Sequence, residues 1–176
     1  RVFVESAGAK LVESPCLAGS FQPDLDHFKE ALSEKTKAVI INLPNNPTGV
    51  IYEDEAIKSI LDIMRSKEEE YGHPIYLISD EPYREIVYEK EVPYFPALYD
   101  NTLTVYSFSK SLSLAGERVG YLSVNPKAAF AKELYAAVAG AARGMGYVCA
   151  PSLFQRILPQ CLGKTADLSV YRKNRD

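Results

Sequence analysis

Three groups of polar side chains follow three short apolar segments of this 176-residue sequence. The first group lies in residues 44–49 and includes Asn46, the second is residues 80–83, and the third extends from Ser107 to Arg118. Together they supply an amide, a carboxylate, a phenol, hydroxyls, an amine and a guanidinium. This set suits a phosphorylated, nitrogen-containing aromatic cofactor. The amine can form a Schiff base, the carboxylate can hold a pyridinium proton, and the cations and hydroxyls can bind a phosphate.

Each group also has an ordinary structural explanation when it is considered alone. Asn, Pro and Gly form turns, a carboxylate after a strand can cap a turn, and a Ser-rich loop with a lysine is commonly solvated. The combination favours function, because successive strands of a parallel sheet deliver these complementary groups to one edge of the sheet.

The apolar segments are predicted to be strands because each is short and nearly continuous in its apolar character. They cover residues 37–43, 75–79, 102–107 and 119–124, and residues 11–15 are a weaker candidate for an edge strand. Residues 1–8 are ambiguous. Strands that alternate with helical patterns predict an α/β fold with a mostly parallel sheet.

Helices are predicted from the spacing of apolar residues and from their starting residues. One begins at Pro23, and the next begins at Asp54 and carries an apolar stripe formed by Ile57, Ile60, Leu61 and Met64. Asn125 and Pro126 predict the start of a helix that runs to residue 141. A further helix begins near residue 151 and is interrupted or kinked at Pro159, and a last one covers residues 166–176.

Composition argues against several classes of protein. There are 20 Lys and Arg residues against 23 Asp and Glu residues, so the surface lacks the basic excess that nucleic acids or anionic membranes would require. The three cysteines lie far apart and form no CxxC pair, which favours a reducing, cytoplasmic setting. We expect no signal peptide, no membrane-spanning segment and no metal, and the start at Arg1 leads us to expect a piece of a longer protein.

The sequence resembles the pyridoxal-phosphate-dependent class I/II aminotransferases, which are fold type I enzymes of the aspartate aminotransferase superfamily. The matching stretches are Asn45-Asn-Pro-Thr-Gly49, Asp80-Glu-Pro-Tyr83 and Ser107-Phe-Ser-Lys-Ser-Leu-Ser-Leu-Ala-Gly-Glu-Arg-Val-Gly120. They occur in family order, and the resemblance extends over nearly the whole chain. It implies that residues 1–176 form part of the large cofactor-binding domain, a three-layer α/β structure with helices on both faces of the sheet. The family's N-terminal segment and C-terminal small domain are absent.

The resemblance also implies roles for individual residues. Lys110 resembles the lysine that forms the Schiff base with pyridoxal phosphate, and Asp80 resembles the aspartate that pairs with its pyridine nitrogen. Tyr83 and Asn46 resemble the pair that hydrogen-bonds the phenolic oxygen of the cofactor. Lys110, Asp80 and Tyr83 are therefore the expected catalytic residues. The expected phosphate ligands are Ser107, Ser109 and Arg118.

The implied function is an aminotransferase that moves an amino group between an amino acid and a 2-oxo acid, as a cytoplasmic homodimer when the chain is complete. One alternative is a pyridoxal-phosphate-dependent β-C–S lyase on the same scaffold, which would need the same lysine, aspartate and arginine. Another is the aminotransferase-like sensor domain of a transcription regulator. The family's glycine-containing phosphate loop, ring-stacking aromatic residue and substrate-binding arginine lie outside these 176 residues. We therefore expect the fragment by itself to be inactive.

Overall fold

The computed structural model describes residues 1–165 and 167–175, and these residues divide into two compact units. The first unit consists of residues 1–37 and 52–75, and the second consists of residues 38–51 together with the chain from residue 76 onward. All seven predicted site residues belong to the second unit. The assignment of the whole chain to one large cofactor-binding domain stays a prediction.

The first unit is helical, and its helices are α1 (Val2–Ser6), α2 (Leu25–Ala31) and α3 (Asp54–Tyr71). The buried residues of α3 are the predicted apolar stripe of Ile57, Ile60, Leu61 and Met64. Helix α2 contacts α3. It begins two residues later than Pro23 suggests, because the Asp24 carboxylate caps it by accepting a hydrogen bond from the backbone N–H of His27 at 3.1 Å.

The second unit contains a sheet with the strand order β1-β2-β3-β4. Its strands are β1 (Ala38–Asn42), β2 (Tyr76–Asp80), β3 (Thr102–Ser107) and β4 (Gly120–Val124). Strands β1, β2 and β3 are parallel to one another, and β4 runs antiparallel to β3. The prediction of an α/β fold with a mostly parallel sheet is therefore confirmed.

The register of the sheet sets the ends of the parallel strands side by side. Asn42 pairs with Asp80, and Asp80 pairs with Val105 on β3. The core of this unit includes Leu43 and Leu77, neither of which is exposed to solvent. Because Leu43 directly follows β1 and is fully buried, the loop after β1 starts from an anchored position.

The helices of the second unit are α4 (Phe95–Leu98), α5 (Phe108–Ser111), α6 (Ala131–Gly144), α7 (Ser152–Cys161) and α8 (Ser169–Arg175). Helix α4 contacts β3 and helix α6 contacts β4. A short 3-10 turn, Ala115–Glu117, lies between α5 and β4. Within the described residues, no helix has both the length and the apolar character that crossing a bilayer requires.

Several local predictions were wrong. The Asn125 side chain accepts a hydrogen bond from the N–H of Lys127 at 3.1 Å, which makes a turn, and helix α6 starts only at Ala131. Helix α7 continues through Pro159, which lies in its last turn, so the predicted interruption does not occur, and the alternative of a kink at Pro159 stays a prediction. Residues 11–15 form no strand, and the ambiguous residues 1–8 contain helix α1. Of the last predicted helix, residues 166 and 176 lie outside the described residues.

Candidate active site

The predicted site residues follow the carboxyl ends of the three parallel strands. Asp80 is the last residue of β2 and Ser107 is the last residue of β3. Asn46 lies four residues beyond the end of β1, Tyr83 lies three beyond β2, and Lys110 lies three beyond β3. Parallel strands commonly present ligand-binding groups at this edge of a sheet.

Asn46 and Tyr83 are in direct contact. The side-chain Nδ2 of Asn46 donates a hydrogen bond to the Oη of Tyr83 at 3.1 Å. The structure thus brings together two residues that the sequence analysis paired. An amide and a phenol held in this way can both donate to one further acceptor, such as a phenolic oxygen.

Asp80 is part-buried and held by its neighbour across the β1–β2 ladder. The Nδ2 of Asn42 donates to the Oδ2 of Asp80 at 3.1 Å and to its backbone carbonyl oxygen at 3.0 Å. Burial raises the pKa of the Asp80 carboxyl, the hydrogen bond from Asn42 opposes that rise, and the nearby charge of Glu81 adds to it. The carboxylate is therefore a partly desolvated acceptor, suited to a cationic N–H donor.

Asn42 itself was missed by the sequence analysis. Its side-chain Oδ1 accepts a hydrogen bond from the backbone N–H of Asn46 at 2.8 Å, in addition to the two bonds that its Nδ2 donates to Asp80. The available signal was an amide inside an apolar strand, since a polar group in such a position needs partners. It was passed over because the residue was counted as part of the apolar run.

Lys110 lies on the single turn of helix α5, which Ser107 caps. The Oγ of Ser107 accepts a hydrogen bond from the backbone N–H of Ser109 at 3.1 Å. Lys110 is exposed, and its Nζ lies 5.6 Å from the centroid of the Tyr83 ring. The amine that follows β3 is therefore near the phenol that follows β2.

Of the three expected phosphate ligands, Ser107 and Ser109 are in contact, whereas Arg118 is not hydrogen-bonded to them. The hydroxyl of Ser107 donates to the Oγ of Ser109 at 2.6 Å. Arg118 is exposed, has a left-handed backbone with φ of 55°, and donates from Nη1 to the carbonyl oxygen of Ala115 at 2.9 Å. Among the described residues its guanidinium makes no hydrogen bond to either serine. A guanidinium carries five N–H donors, so this group has further donors to offer an anion.

The backbone of the Arg118 segment is nevertheless held next to the serines. The N–H of Phe108 donates to the carbonyl oxygen of Val119 at 3.1 Å, and Ser107 pairs with Gly120 across the β3–β4 ladder. Arg118 directly precedes these paired residues. The antiparallel strand β4 therefore returns the arginine to the end of the sheet at which α5 begins.

A hydrogen bond between two buried residues, Tyr106 of β3 and Ser111 of α5, attaches this helix to the sheet. The Oη of Tyr106 donates to the Oγ of Ser111 at 2.6 Å, and Ser111 is the residue after Lys110. Burial raises the pKa of the Tyr106 phenol to about 12, with a smaller upward contribution from Glu85 and an opposing one from Ser111. A phenol with so high a pKa stays protonated near neutral pH and keeps donating to Ser111.

The chemistry of the donor set fits pyridoxal phosphate. Asp80 offers an acceptor for a ring N–H, and the hydrogen-bonded Asn46 and Tyr83 offer donors for a phenolic oxygen. Lys110 offers an amine near this pair. The expected phosphate donors are the contacting hydroxyls of Ser107 and Ser109 and the guanidinium of Arg118. No group of three or more His, Cys, Asp or Glu residues that could hold a metal ion occurs in the described part of the chain.

Comparison with known proteins gives a consistent result. Residues 1–175 match the profile of the family described as "Aminotransferase class I and II". The chain is 53% identical to an aminotransferase of known crystal structure from Eubacterium rectale, with a TM-score of 0.96, and the match covers 99% of this chain and 44% of that one. It is 30% identical to an alanine aminotransferase from Pyrococcus furiosus, with a TM-score of 0.80, over 97% of this chain and 42% of that one.

A curated relative is the "Probable aspartate/prephenate aminotransferase" of Aquifex aeolicus, which is 41% identical over 108 residues. That match covers 58% of this chain and 26% of the relative. The chain therefore aligns with about a quarter of the length of this relative and with less than half of the Eubacterium rectale structure.

Proposed function

This chain belongs to the class I and II aminotransferases, and from that membership we propose that the full-length protein is a pyridoxal-phosphate-dependent enzyme that moves an amino group between an amino acid and a 2-oxo acid. The observation that carries the proposal is the grouping of Lys110 with Tyr83 and Asn46. The lysine amine lies 5.6 Å from the Tyr83 ring, and the Tyr83 hydroxyl accepts a hydrogen bond from Asn46.

The chain's own residues would bind and orient the cofactor. The carboxylate of Asp80 would accept a hydrogen bond from the ring nitrogen, and its negative charge would favour the protonated nitrogen. Asn46 and Tyr83 would donate to the phenolic oxygen. Ser107, Ser109 and Arg118 would hold the phosphate, and the planar guanidinium of Arg118 suits phosphate oxygens better than a lysine ammonium does.

When bound, pyridoxal phosphate supplies an electron sink for the bond that breaks at the α-carbon of the amino acid. Lys110 would provide the amine that holds the cofactor covalently. When that amine is free, its Nζ would take up the proton from the α-carbon of the amino acid as a general base and give it back as a general acid.

The setting of the enzyme is part of the same proposal. We assign residues 1–176 to the large cofactor-binding domain and the full-length protein to a cytoplasmic homodimer. The free cysteines Cys16, Cys149 and Cys161 are in keeping with a reducing compartment. Since the chain covers 44% of the Eubacterium rectale aminotransferase, we propose that these residues by themselves do not turn over substrate.

Transfer is favoured over the two alternatives because the relatives described above are named aminotransferases. Their names also suggest the first amino donors to test, which are aspartate and alanine. Neither a β-C–S lyase nor a sensor domain of a transcription regulator is suggested by those names.

The test is a product analysis with the full-length protein. It is mixed with pyridoxal phosphate, 2-oxoglutarate and either aspartate or alanine, and in parallel with a thioether amino acid such as cystathionine. Formation of glutamate with the first donors, and its loss in Lys110→Ala, supports the proposal. Ammonia and pyruvate from the thioether without any glutamate would identify a lyase. Cofactor binding without turnover of any donor would favour the sensor domain.

A further inference from the structure

We infer that Asn42 is a positioning residue that ties the carboxylate of Asp80 to the loop carrying Asn46, so that the acid for the ring nitrogen and the amide for the phenolic oxygen are held in one geometry. The inference rests on the proposed function for its catalytic meaning. The hydrogen bonds that carry it belong to the chain itself. Asn42 contacts neither the expected phosphate ligands nor Lys110 among the contacts described above, so it would act through other residues.

Both polar atoms of the Asn42 side chain form hydrogen bonds. Its Nδ2 donates to the Oδ2 of Asp80 at 3.1 Å and to the Asp80 carbonyl oxygen at 3.0 Å. Its Oδ1 accepts from the backbone N–H of Asn46 at 2.8 Å. Only an amide side chain is both a double donor and an acceptor without carrying a charge. Asn42 also pairs with Asp80 in the parallel ladder, so even its short side chain can reach the Asp80 carboxylate.

For Asp80, the contact engages one carboxylate oxygen and leaves the other without a hydrogen bond among the described residues. The Oδ2 atom accepts the Asn42 N–H, and in the described part of the chain no other hydrogen bond to this carboxylate occurs. The Oδ1 atom is therefore the one that is available to a ring N–H. A hydrogen bond donated to a carboxylate favours its ionised form, and here it opposes burial and the negative charge of Glu81.

For Asn46, the contact anchors the backbone from which its side chain extends. The Asn46 side chain in turn donates to Tyr83 at 3.1 Å. A continuous series of hydrogen bonds thus runs from Asp80 through Asn42 and Asn46 to Tyr83. Three residues that the resemblance assigns to the cofactor are connected by a fourth that it does not assign.

The inference is tested on the cofactor-free, full-length protein with two variants. Asn42→Leu keeps the approximate size but removes the donor and the acceptor. Asn42→Asp keeps the acceptor for the Asn46 N–H, removes the donor to Asp80 and adds a negative charge beside it. The matched control is Asn45→Leu, because the Oδ1 of Asn45 accepts a hydrogen bond from the hydroxyl of Thr48 at 2.9 Å in the same loop and has no bond to Asp80.

The first readout is the pKa of Asp80, measured by carbon NMR of aspartate labelled at the carboxyl carbon. Its resonance is assigned by its absence from Asp80→Asn. We expect an upward shift in Asn42→Leu, because a hydrogen bond to the ionised form is lost. We expect a larger upward shift in Asn42→Asp, because a second carboxylate then lies beside the first. Asn45→Leu should titrate like the wild type.

The second readout is steady-state kinetics of the loaded enzyme. Both Asn42 variants should lose about tenfold or more in kcat while KM for the amino donor changes less than about twofold, since Asp80 acts on the chemical step. A wild-type pKa of Asp80 in a folded Asn42 variant would overturn the inference, as would an equal shift in Asn45→Leu. If Asn42→Leu does not fold, Asn42→Asp decides. A wild-type protein without transaminase activity would contradict the proposed function, while the titration would still decide the role of Asn42.

Discussion

Asn46 donates a hydrogen bond from its side chain to the hydroxyl of Tyr83 at 3.1 Å, although 37 positions of sequence separate them. The contact joins the loop after β1 to the loop after β2. The family resemblance assigns both groups to the same oxygen of the cofactor. Because they are also hydrogen-bonded to each other, each helps to orient the other. Residues that share a contact and an acceptor are expected to behave as a unit rather than as two independent ligands.

A double-mutant cycle on Asn46→Ala and Tyr83→Phe tests this coupling. Each single variant of the full-length protein should bind pyridoxal phosphate about tenfold more weakly, the cost of about one hydrogen bond to a charged group. The double variant should lose less than the sum, with a coupling of about 0.5 kcal/mol or more. Fluorescence titration of the cofactor-free protein measures all four affinities. Tyr94→Phe, at an exposed tyrosine, is the control, and strictly additive losses would contradict the coupling.

Lys110 should carry the cofactor covalently. Its amine lies 5.6 Å from the centroid of the Tyr83 ring, beside the residue that is expected to contact the phenolic oxygen. Borohydride reduction of the loaded full-length enzyme, followed by peptide mapping, should find the cofactor on Lys110. Lys110→Arg keeps a positive charge but cannot form the imine, so the label should disappear in that variant. Label recovered on Lys127 or Lys132 would reject the assignment.

Gly120 should not tolerate a side chain. It pairs with Ser107 across the β3–β4 ladder, and a Cβ atom built on it would collide with the backbone carbonyl oxygen of Tyr106. Because that neighbour is backbone, β4 itself must shift, and we expect Gly120→Ala to lower the free energy of unfolding by about 1–3 kcal/mol. Urea unfolding measures the loss. The control is Gly116→Ala, where nothing lies within 4 Å of an added Cβ, and equal losses in both variants would contradict the explanation.

The strands were predictable because burial leaves a simple trace in the sequence. A parallel strand is commonly apolar along most of its length, and β1, β2 and β3 all begin within one residue of the predicted segments, although Ile40 of β1 is 53% exposed. The buried stripe of α3 was predictable from its spacing, since Ile57, Ile60, Leu61 and Met64 repeat at helical intervals over two turns of the chain. Both patterns are local, so no knowledge of contacts between distant residues was needed.

The start of α6 was not predictable from local chemistry. The Asn125 side chain accepts a backbone hydrogen bond as a helix cap would, but the bond closes a turn. The helix begins after Phe130, which has a φ of 56°, and nothing in the sequence predicts a left-handed backbone at this phenylalanine. The same holds for Arg118, which adopts a left-handed backbone although it is neither Gly nor Asn.

The site residues came from motifs, whereas their connections required the structure. Resemblance identified Asp80, Asn46 and Tyr83 as a set but gave no reason for them to be linked. Asn42, which links them, had no motif role and lay within an apolar run. Its function depends on the β1–β2 register, a property that one strand's sequence does not contain.

Tyr106→Phe should destabilise the protein in a way that depends on pH. It removes the hydrogen bond to Ser111, which should lower the free energy of unfolding by about 1 kcal/mol near neutral pH. Burial raises the pKa of Tyr106 from 10.0 to about 12, so the unfolded chain loses the phenol proton before the folded one does. Wild-type stability therefore falls as pH rises through that window, and this component is missing in the variant.

The deficit of Tyr106→Phe relative to wild type should consequently shrink between about pH 10 and pH 12. Urea unfolding of the full-length protein at neutral and at alkaline pH measures it. Tyr135→Phe, at a tyrosine that is 66% exposed, serves as the control for the general effect of alkali on tyrosines. A deficit that stays constant across this window would show that Tyr106 titrates normally in the folded protein.

The ionised Asp80 carboxylate should lower the free energy of unfolding of the cofactor-free protein at neutral pH. Burial raises the pKa of its carboxyl above the ordinary 3.8, so the folded state holds the proton at pH values where the unfolded chain has released it. The free energy of unfolding therefore falls as pH rises through this window, and Asp80 lowers the stability of the fold above it. Asp80→Asn removes the charge and keeps an oxygen that can accept from Asn42.

We expect Asp80→Asn to raise the Tm of the cofactor-free, full-length protein at pH 7, and we expect the gain to vanish as the pH approaches 3.8. Calorimetry at several pH values measures it, with Asp100→Asn at an exposed aspartate as the control. The same substitution should reduce kcat far more than it weakens cofactor binding, because the phosphate ligands and Lys110 supply other attachments while the ring nitrogen loses its anionic partner. Each 1.36 kcal/mol added to the barrier is about a tenfold loss in rate. A lower Tm at pH 7, or turnover near that of the wild type, would show that the carboxylate is placed for stability rather than for the cofactor.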